Sequence, residues 1–158
     1  MQSYRLSKYN PAYRDCGVYR KEEWTSISDV GEVFDGVAFS MEAYLDAEQR
    51  YIGALMRIAN EKRAFPLWIS DLEQGEETCW IEGQKLDERA CACLVRDCLR
   101  ELCWCRLNGQ AFYIHFGYDY CVYLGCEILP DEMKQIAECF GLFAEEMQSP
   151  YEKENDSE

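Results

Sequence analysis

The chain has 158 residues, of which 48% are hydrophobic and 14% aromatic, and this predicts one domain with a sizeable core rather than a disordered segment. The formal net charge of −14 disfavours nonspecific binding to nucleic acid or to an anionic membrane, because both surfaces would repel the protein. The same charge is compatible with a basic protein partner.

The charge is unevenly distributed along the chain. Five Lys and Arg residues stand against Asp15 in residues 1–21, a net of about +4, which leaves about −18 for residues 22–158. The N-terminal MQSYRLSKYN lacks the apolar core of a signal peptide. No stretch reaches the roughly 18 apolar residues of a membrane span. We therefore expect a cytoplasmic protein whose ten cysteines are reduced.

Turn signals and apolar spacing predict the elements in chain order. The predicted elements are an edge strand over 4–10, a helix over 40–63, strands over 66–73 and 78–83, a helix over 87–107, strands over 111–116 and 120–126, and a helix from 130 onwards. They predict an α+β fold of two layers, in which about three helices pack on one face of a mixed or antiparallel sheet of four or five strands. The expected domain spans 1–149, and 150–158 is expected to be an acidic, frayed tail.

The stretch CACLVRDCLRELCWC, residues 91–105, contains five cysteines. On a helix, Cys91, Cys98 and Cys105 share one face with Val95 and Leu102, which favours cysteines packed as small hydrophobes. Cysteines separated by a single residue would point about 200° apart on a helix, so neither such pair could clamp one zinc ion. The sequence therefore favours a structural helix, with a metal or redox site as the alternative.

The strands around Gly117-Tyr118-Asp119 predict a hairpin with a three-residue loop. In that register one face is apolar and carries Phe112, Ile114, Phe116, Val122 and Leu124. The other face carries Tyr113 opposite Tyr123, and His115 opposite Cys121. Because the helices need the apolar face, we expect the tyrosine face to be at least partly exposed. A Cys–His pair is also the minimum for thiol nucleophilic catalysis.

Two polar features have both a structural and a functional interpretation. Glu48 falls inside the apolar arc of the first helix, so it is either bonded to a tyrosine, an arginine or a backbone amide, or it serves a partner or a site. In KEEWTSISDVGE (21–32), Trp24 either pins an ordered loop or forms an interface anchor, with Glu22, Glu23 and Asp29 attracting a basic partner.

YRLSKYNPAYRD and EEWTSISDVG, followed by FYIHFGYDYCVYLGC and GLFAEEMQSPY, resemble a group of small uncharacterised bacterial proteins that look similar to immunity proteins of polymorphic-toxin systems. The resemblance spans nearly the whole chain and carries over no catalytic residue. It implies a cytosolic binding protein that neutralises a toxin domain.

These observations predict a non-catalytic acidic inhibitor without cofactor or metal, whose partner is a cognate protein toxin and not a nucleic acid or a membrane. One composite binding site is expected, formed by Glu22, Glu23, Trp24, Asp29, Tyr113, His115, Asp119 and Tyr123. Two alternatives stay open: a small thiol enzyme or sensor that uses Cys121 with His115, and a subunit of a homo-oligomer.

Overall fold

The computed structural model describes residues 1–152 and confirms the α+β class with three α-helices. Helix α1 spans Met41–Glu61, α2 spans Glu88–Leu99 and α3 spans Pro130–Cys139. Side chains of Ser40 and Asp87 cap α1 and α2 by accepting hydrogen bonds from the third backbone amide that follows each of them. Pro130 starts α3, where its missing amide hydrogen is not needed.

The main sheet has seven strands in the order β11-β1-β10-β9-β8-β6-β7, and its pairings are antiparallel. Its strands are β1 Gln2–Ser7, β6 Leu67–Gln74, β7 Lys85–Leu86, β8 Cys103–Gly109, β9 Phe112–Phe116, β10 Val122–Cys126 and β11 Phe143–Glu146. Two short hairpins lie outside it, formed by β2 Arg14–Asp15 with β3 Val18–Tyr19 and by β4 Val33–Phe34 with β5 Val37–Ala38.

The predicted count of four or five strands is wrong, because β8 and β11 form in segments predicted to be helical and β7 was not predicted. Helix α2 ends at Leu99, and Glu101 adopts a left-handed conformation with φ of 62°. Strand β8 then buries Cys103, Cys105 and Leu107 between β6 and β9.

The third helix also ends earlier than its apolar stripe suggested. It ends at Cys139, and Gly141 follows with φ of 66°, a conformation that favours glycine after a helix. Residues Phe143–Glu146 then pair with β1 as strand β11. This pairing also makes β1 an interior strand, so the predicted edge position is wrong. Residues 78–83, predicted to be a strand, do not form one.

The hairpin of β9 and β10 has a register two residues away from the predicted one. His115 lies opposite Tyr123 rather than Cys121, and Phe116 lies opposite Val122. The loop is longer than predicted because Tyr120 leaves the strand and packs into the core, with ring centroids 4.7 Å from Tyr51 and 5.9 Å from Tyr44. A shift of two residues preserves the faces, so the division of apolar and tyrosine faces is confirmed.

One face of the sheet carries the hydrophobic core. Side chains of Ile114, Leu124, Leu6 and Leu107 point to this face, where the apolar sides of the helices pack against them. The opposite face is crossed by residues 149–152, which we call the C-terminal strap. Residues 150–152 of the predicted tail thus lie against the sheet, and the rest of that tail lies outside the described residues.

Candidate functional site

Residues 22–49, which we call the acidic segment, contain eight Asp and Glu residues and no Lys or Arg. The segment runs through a loop and the β4–β5 hairpin into the first turns of α1. Two backbone hydrogen bonds of 2.8 Å between Gly31 and Phe39 and between Phe39 and Glu32 close the hairpin beside the helix cap Ser40. The fold therefore presents this run of like charge on an ordered scaffold.

Trp24 fixes the acidic segment to the core. Its ring stacks on Phe39 at 4.6 Å and meets Tyr44 and Tyr120 edge to face. The Lys8 ammonium lies 4.3 Å from the Trp24 ring centroid, and burial lowers the pKa of that ammonium to about 8. Because these contacts are to the protein's own side chains, they favour the interpretation in which Trp24 holds an ordered loop in place over the one in which it anchors an interface.

The acids around Trp24 divide into bonded and free groups. Glu23 accepts a hydrogen bond from the Tyr19 hydroxyl, and Asp29 accepts one from the Thr25 amide at 2.8 Å. Glu22 is exposed. Asp119, in the β9–β10 loop, is brought close to Trp24 through Tyr9, whose hydroxyl donates to the Asp119 carbonyl at 2.7 Å and lies 3.3 Å from the Trp24 carbonyl oxygen.

Beyond Trp24, the acidic segment exposes apolar side chains next to unbonded or solvent-facing acids. In the hairpin, Val33 is 62% and Val37 is 69% exposed, and on α1 Met41 and Leu45 are 46% and 40% exposed. The exposed acids that alternate with them are Glu32, Asp35, Glu42 and Asp46. None of these residues was predicted to bind a partner, although the missing Lys and Arg of residues 22–49 would have indicated them. The helical spacing of Met41 and Leu45 predicted that both face the core, and that prediction is wrong.

The predicted exposure of the tyrosine face is wrong for two of its residues. Tyr113 is 7% and His115 is 3% exposed, because the C-terminal strap covers them. The His115 Nδ1 lies 2.7 Å from the Ser149 Oγ, and the Tyr151 ring contacts His115 and Tyr123. Tyr123 remains partly exposed.

The expected composite site is divided between the two faces of the sheet. Tyr113, His115 and Tyr123 lie on the face opposite to the helices, since neighbouring residues in a strand point to opposite sides. Trp24 packs on the helix side, against Tyr44 of α1. Trp24 and Asp119 are therefore together, and the tyrosine residues are separate from them.

The expected pairing of Cys121 with His115 is wrong. Tyr123 occupies the position opposite His115, and the His115 ring bonds to Ser149 instead. Burial raises the pKa of the Cys121 thiol, whereas a nucleophilic thiol needs a depressed pKa. Burial also lowers the pKa of His115 to about 4. The geometry that motivated the thiol-enzyme alternative is therefore missing.

Glu48 is buried at 1% exposure and bonded on both oxygens. Arg100 donates two hydrogen bonds of 2.7 Å to it, and the Tyr44 hydroxyl donates a third of 2.7 Å. The ion pair raises the pKa of Arg100 above its ordinary value. Glu48 therefore joins α1 to the end of α2. Of the two interpretations that the sequence left open for Glu48, these contacts support the structural one.

The cysteines of the CACLVRDCLRELCWC stretch are divided between α2 and β8. Cys91 is buried in α2, and Cys98 in its last turn faces Cys103 and Cys105 of β8. Cys93 is half-buried, while Cys16, Cys79 and Cys139 are exposed. Among residues 1–152, no group of three or more His, Cys, Asp or Glu side chains is arranged to hold a metal ion.

Comparisons add no relative to this description. The chain matches no protein-family model, no curated protein and no solved structure. Within the part of the chain that the structure describes, no helix is long and apolar enough to cross a membrane. The resemblance to immunity proteins therefore stays a prediction, and the acidic segment, with its exposed apolar side chains, is the candidate functional site.

Proposed function

We propose that the chain is a non-catalytic inhibitor that binds a basic protein domain, as an immunity protein binds its toxin, through the acidic segment. The observation that carries the proposal is the run of eight acids without a single Lys or Arg over residues 22–49. Such a run produces a local negative potential that speeds association with a positively charged surface and opposes binding of phosphate backbones.

The position of the acids supports a role in binding rather than in folding. Glu48, Glu23 and Asp29 are held by internal hydrogen bonds, so they stabilise the segment. Glu22, Glu32, Asp35, Glu42 and Asp46 are exposed, and of these Asp46 forms a surface ion pair with Arg50. Exposed like charges repel one another rather than stabilise the fold, and apart from Asp46 these acids are free to face a partner.

The apolar side chains of the segment would supply contact area. Val33, Val37, Met41 and Leu45 are exposed between the acids, and apolar groups ringed by charge are the usual arrangement of a protein interface. The chemistry of the partner follows from both features: a basic surface with a shallow apolar patch. A toxin domain that acts on nucleic acid would fit, because its substrate groove must itself be basic.

The test measures association of the purified chain with the product of the neighbouring gene, and with an unrelated basic nuclease as a control for nonspecific attraction. A variant carrying Glu32→Gln, Asp35→Asn, Glu42→Gln and Asp46→Asn should associate more than about tenfold more slowly at low salt. Raising the salt concentration should remove most of that difference, because exposed charges are screened.

A matched variant separates the effect of the acidic segment on the association rate from the effect of net charge. Changing Glu73, Glu76, Glu77 and Glu138 to Gln also removes four negative charges, but at exposed positions outside the segment. Its association rate should stay close to that of the unmodified chain. Equal slowing in both variants would place the partner elsewhere, and failure of the neighbouring gene product to bind above the nuclease control would overturn the proposal.

A further inference from the structure

Three thiols meet where α2 ends and β8 begins. The Cys98 Sγ lies 3.6 Å from the Cys103 Sγ and 3.8 Å from the Cys105 Sγ. The short connection of residues 100–102, with its left-handed Glu101, brings the first residue of β8 back against the last turn of α2. Cys98 is therefore in contact with two further thiols at once.

Two of these thiols line an open cleft. The cleft has a volume of 630 Å³ and is lined by Cys98 and Cys103 together with Glu101, Trp104 and Tyr118. Cys105 does not line it and is fully buried. The cleft gives a small reagent a route to Cys98 and Cys103, both of which are otherwise shielded from bulk solvent.

We propose that Cys98 and Cys103 form a dithiol that is oxidised by hydrogen peroxide to an intramolecular disulfide. The two sulfur atoms must approach from 3.6 Å to about 2.05 Å. That approach is short enough for side-chain rotation at the end of a helix and the start of a strand. The site lies outside the acidic segment and goes beyond the proposed inhibitor function.

The reaction proceeds in two balanced steps. The Cys103 thiolate attacks one oxygen of hydrogen peroxide, so that an S–O bond forms and the O–O bond breaks, and the departing hydroxide takes up a proton to become water. The Cys98 thiol then attacks the sulfur of the Cys103 sulfenic acid, an S–S bond forms and the S–O bond breaks. The departing hydroxide takes up the Cys98 proton and leaves as a second water. Two thiols are thereby oxidised and one peroxide is reduced to two waters.

The surroundings assign different roles to the two sulfurs. Cys98 lies in the last turn of α2, where the helix dipole opposes a negative charge, and hydrogen bonding to Cys103 and Cys105 raises its pKa. Hydrogen bonding from Cys98 lowers the pKa of Cys103. Cys103 is therefore the nucleophile, and Cys98 is the resolving thiol.

The charge of the cleft selects the oxidant. Glu73 and Glu101 lie at its lining, and the whole chain is strongly acidic. An anionic disulfide such as oxidised glutathione would be repelled by this surface, whereas hydrogen peroxide is small and neutral. The proposal therefore names a peroxide rather than a thiol–disulfide exchange partner.

The test maps the thiols of the reduced full-length chain after brief treatment with hydrogen peroxide, blocking with N-ethylmaleimide under denaturing conditions, and tryptic digestion. Arg96, Arg100 and Arg106 place Cys98 in the peptide DCLR and Cys103 with Cys105 in ELCWCR. The expected product is these two peptides joined by a disulfide, with one N-ethylmaleimide on Cys105, and dithiothreitol separates them again.

Exposed Cys16, Cys79 and Cys139 serve as internal controls in the same digest. Oxidation of these three residues, with DCLR and ELCWCR still recovered as separate peptides whose cysteines all carry N-ethylmaleimide, would overturn the proposal without any variant. In Cys98→Ser, the joined peptides should disappear, and dimedone should trap a sulfenic acid on Cys103.

Two further variants identify the thiol that joins Cys98. Cys105→Ala should still form the joined peptides at the original rate. Cys103→Ser should lose at least nine-tenths of that rate, because the remaining neighbour of Cys98, Cys105, is fully buried and does not line the cleft. Joining that continues unchanged in Cys103→Ser would show that Cys105 is the reacting thiol, and the assignment would then be wrong.

Discussion

At the scale of single residues, Glu48 is a charge that the core tolerates because each carboxylate oxygen is bonded. Removing the charge by Glu48→Gln leaves the half-exposed Arg100 without its counter-ion. We expect a loss of about 2–3 kcal/mol in the free energy of unfolding, less than for a completely buried pair, because water reaches Arg100. Urea denaturation followed by circular dichroism measures it.

A matched change on the same helix shows how much of the lost stability comes from the burial of Glu48 rather than from the loss of one negative charge. Glu61 pairs with Arg57 at the exposed end of α1, so Glu61→Gln should change the free energy of unfolding by at most about 0.5 kcal/mol. If both variants lost the same stability, the contribution of Glu48 would be that of an ordinary surface pair.

His115 should make the fold sensitive to mild acid. Its pKa is lowered from 6.5 to about 4 by burial, so the unfolded chain takes up a proton on this ring before the folded chain does. Stability is therefore lost as the pH falls from 6.5 towards 4. Between pH 7 and pH 4 the free energy of unfolding of the unmodified chain should fall by about 2–3 kcal/mol more than that of His115→Gln. Denaturation curves of both proteins at the two pH values measure the difference, and identical acid sensitivity would contradict the prediction.

At the scale of elements, β8 shows why the sequence misled. Cys91, Cys98 and Cys105 are seven residues apart, which suits a helix, yet from Cys105 to Asn108 apolar and polar residues alternate, as in a strand. Both patterns were present in residues 103–109. The helix ends at Leu99, and the left-handed residue that follows it is Glu101 rather than the glycine that usually marks such an end. Only the pairing with β6 and β9 therefore decides between the patterns.

The helix starts and the hairpin faces were readable from local chemistry. Ser40 as a cap and Pro130 as the first residue of α3 follow from preferences of single residues. The hairpin register was missed because Tyr120 leaves the strand to pack on Tyr44 and Tyr51. That contact joins residues far apart in the chain, and local pattern carries no information about it.

Tyr151 provides one of the contacts that hold the C-terminal strap to the sheet, beside the bonds of Ser149 and Glu152. Its ring lies 5.4 Å from Trp104 and 6.2 Å from Tyr123, while its backbone carbonyl accepts a bond from Arg106 that a substitution would retain. Tyr151→Ala should lower the free energy of unfolding by about 1–2 kcal/mol through lost ring contacts. Tyr118→Ala is the control, since Tyr118 is 86% exposed and should cost at most about 0.5 kcal/mol. Equal losses in urea denaturation would show that the strap is not held by this ring.

At the scale of the whole molecule, the candidate site was predicted only in part. The acids around Trp24 were recognised from composition, and the excess of acidic over basic residues continues through Asp46 on α1. Their separation from Tyr113 and His115 could not be predicted, because it depends on strand order and on a C-terminal strap folded over the far face. Composition indicates which residues are charged, but the topology decides which of them meet.

The net charge of −14 should make the fold more stable as salt is added. Salt acts in two opposing ways, since it weakens attractive ion pairs and also screens repulsion among acids. The partly buried pairs, Glu48 with Arg100 and Glu145 with Arg5, are screened less than surface charges, whereas Glu22, Glu32, Asp35, Glu42 and Asp46 are exposed. Screening of repulsion should therefore dominate.

Between 10 mM and 150 mM NaCl the screening length falls from about 30 Å to about 8 Å. We expect the melting temperature to rise by about 4 °C over this range, equivalent to roughly 1–2 kcal/mol for a chain of this size. Neutralising the five exposed acids of the segment takes the net charge from −14 to −9, and the rise should then be clearly smaller. Differential scanning calorimetry measures both, and a melting temperature that falls with salt would show that attractive pairs, not repulsion, dominate the electrostatics of this fold.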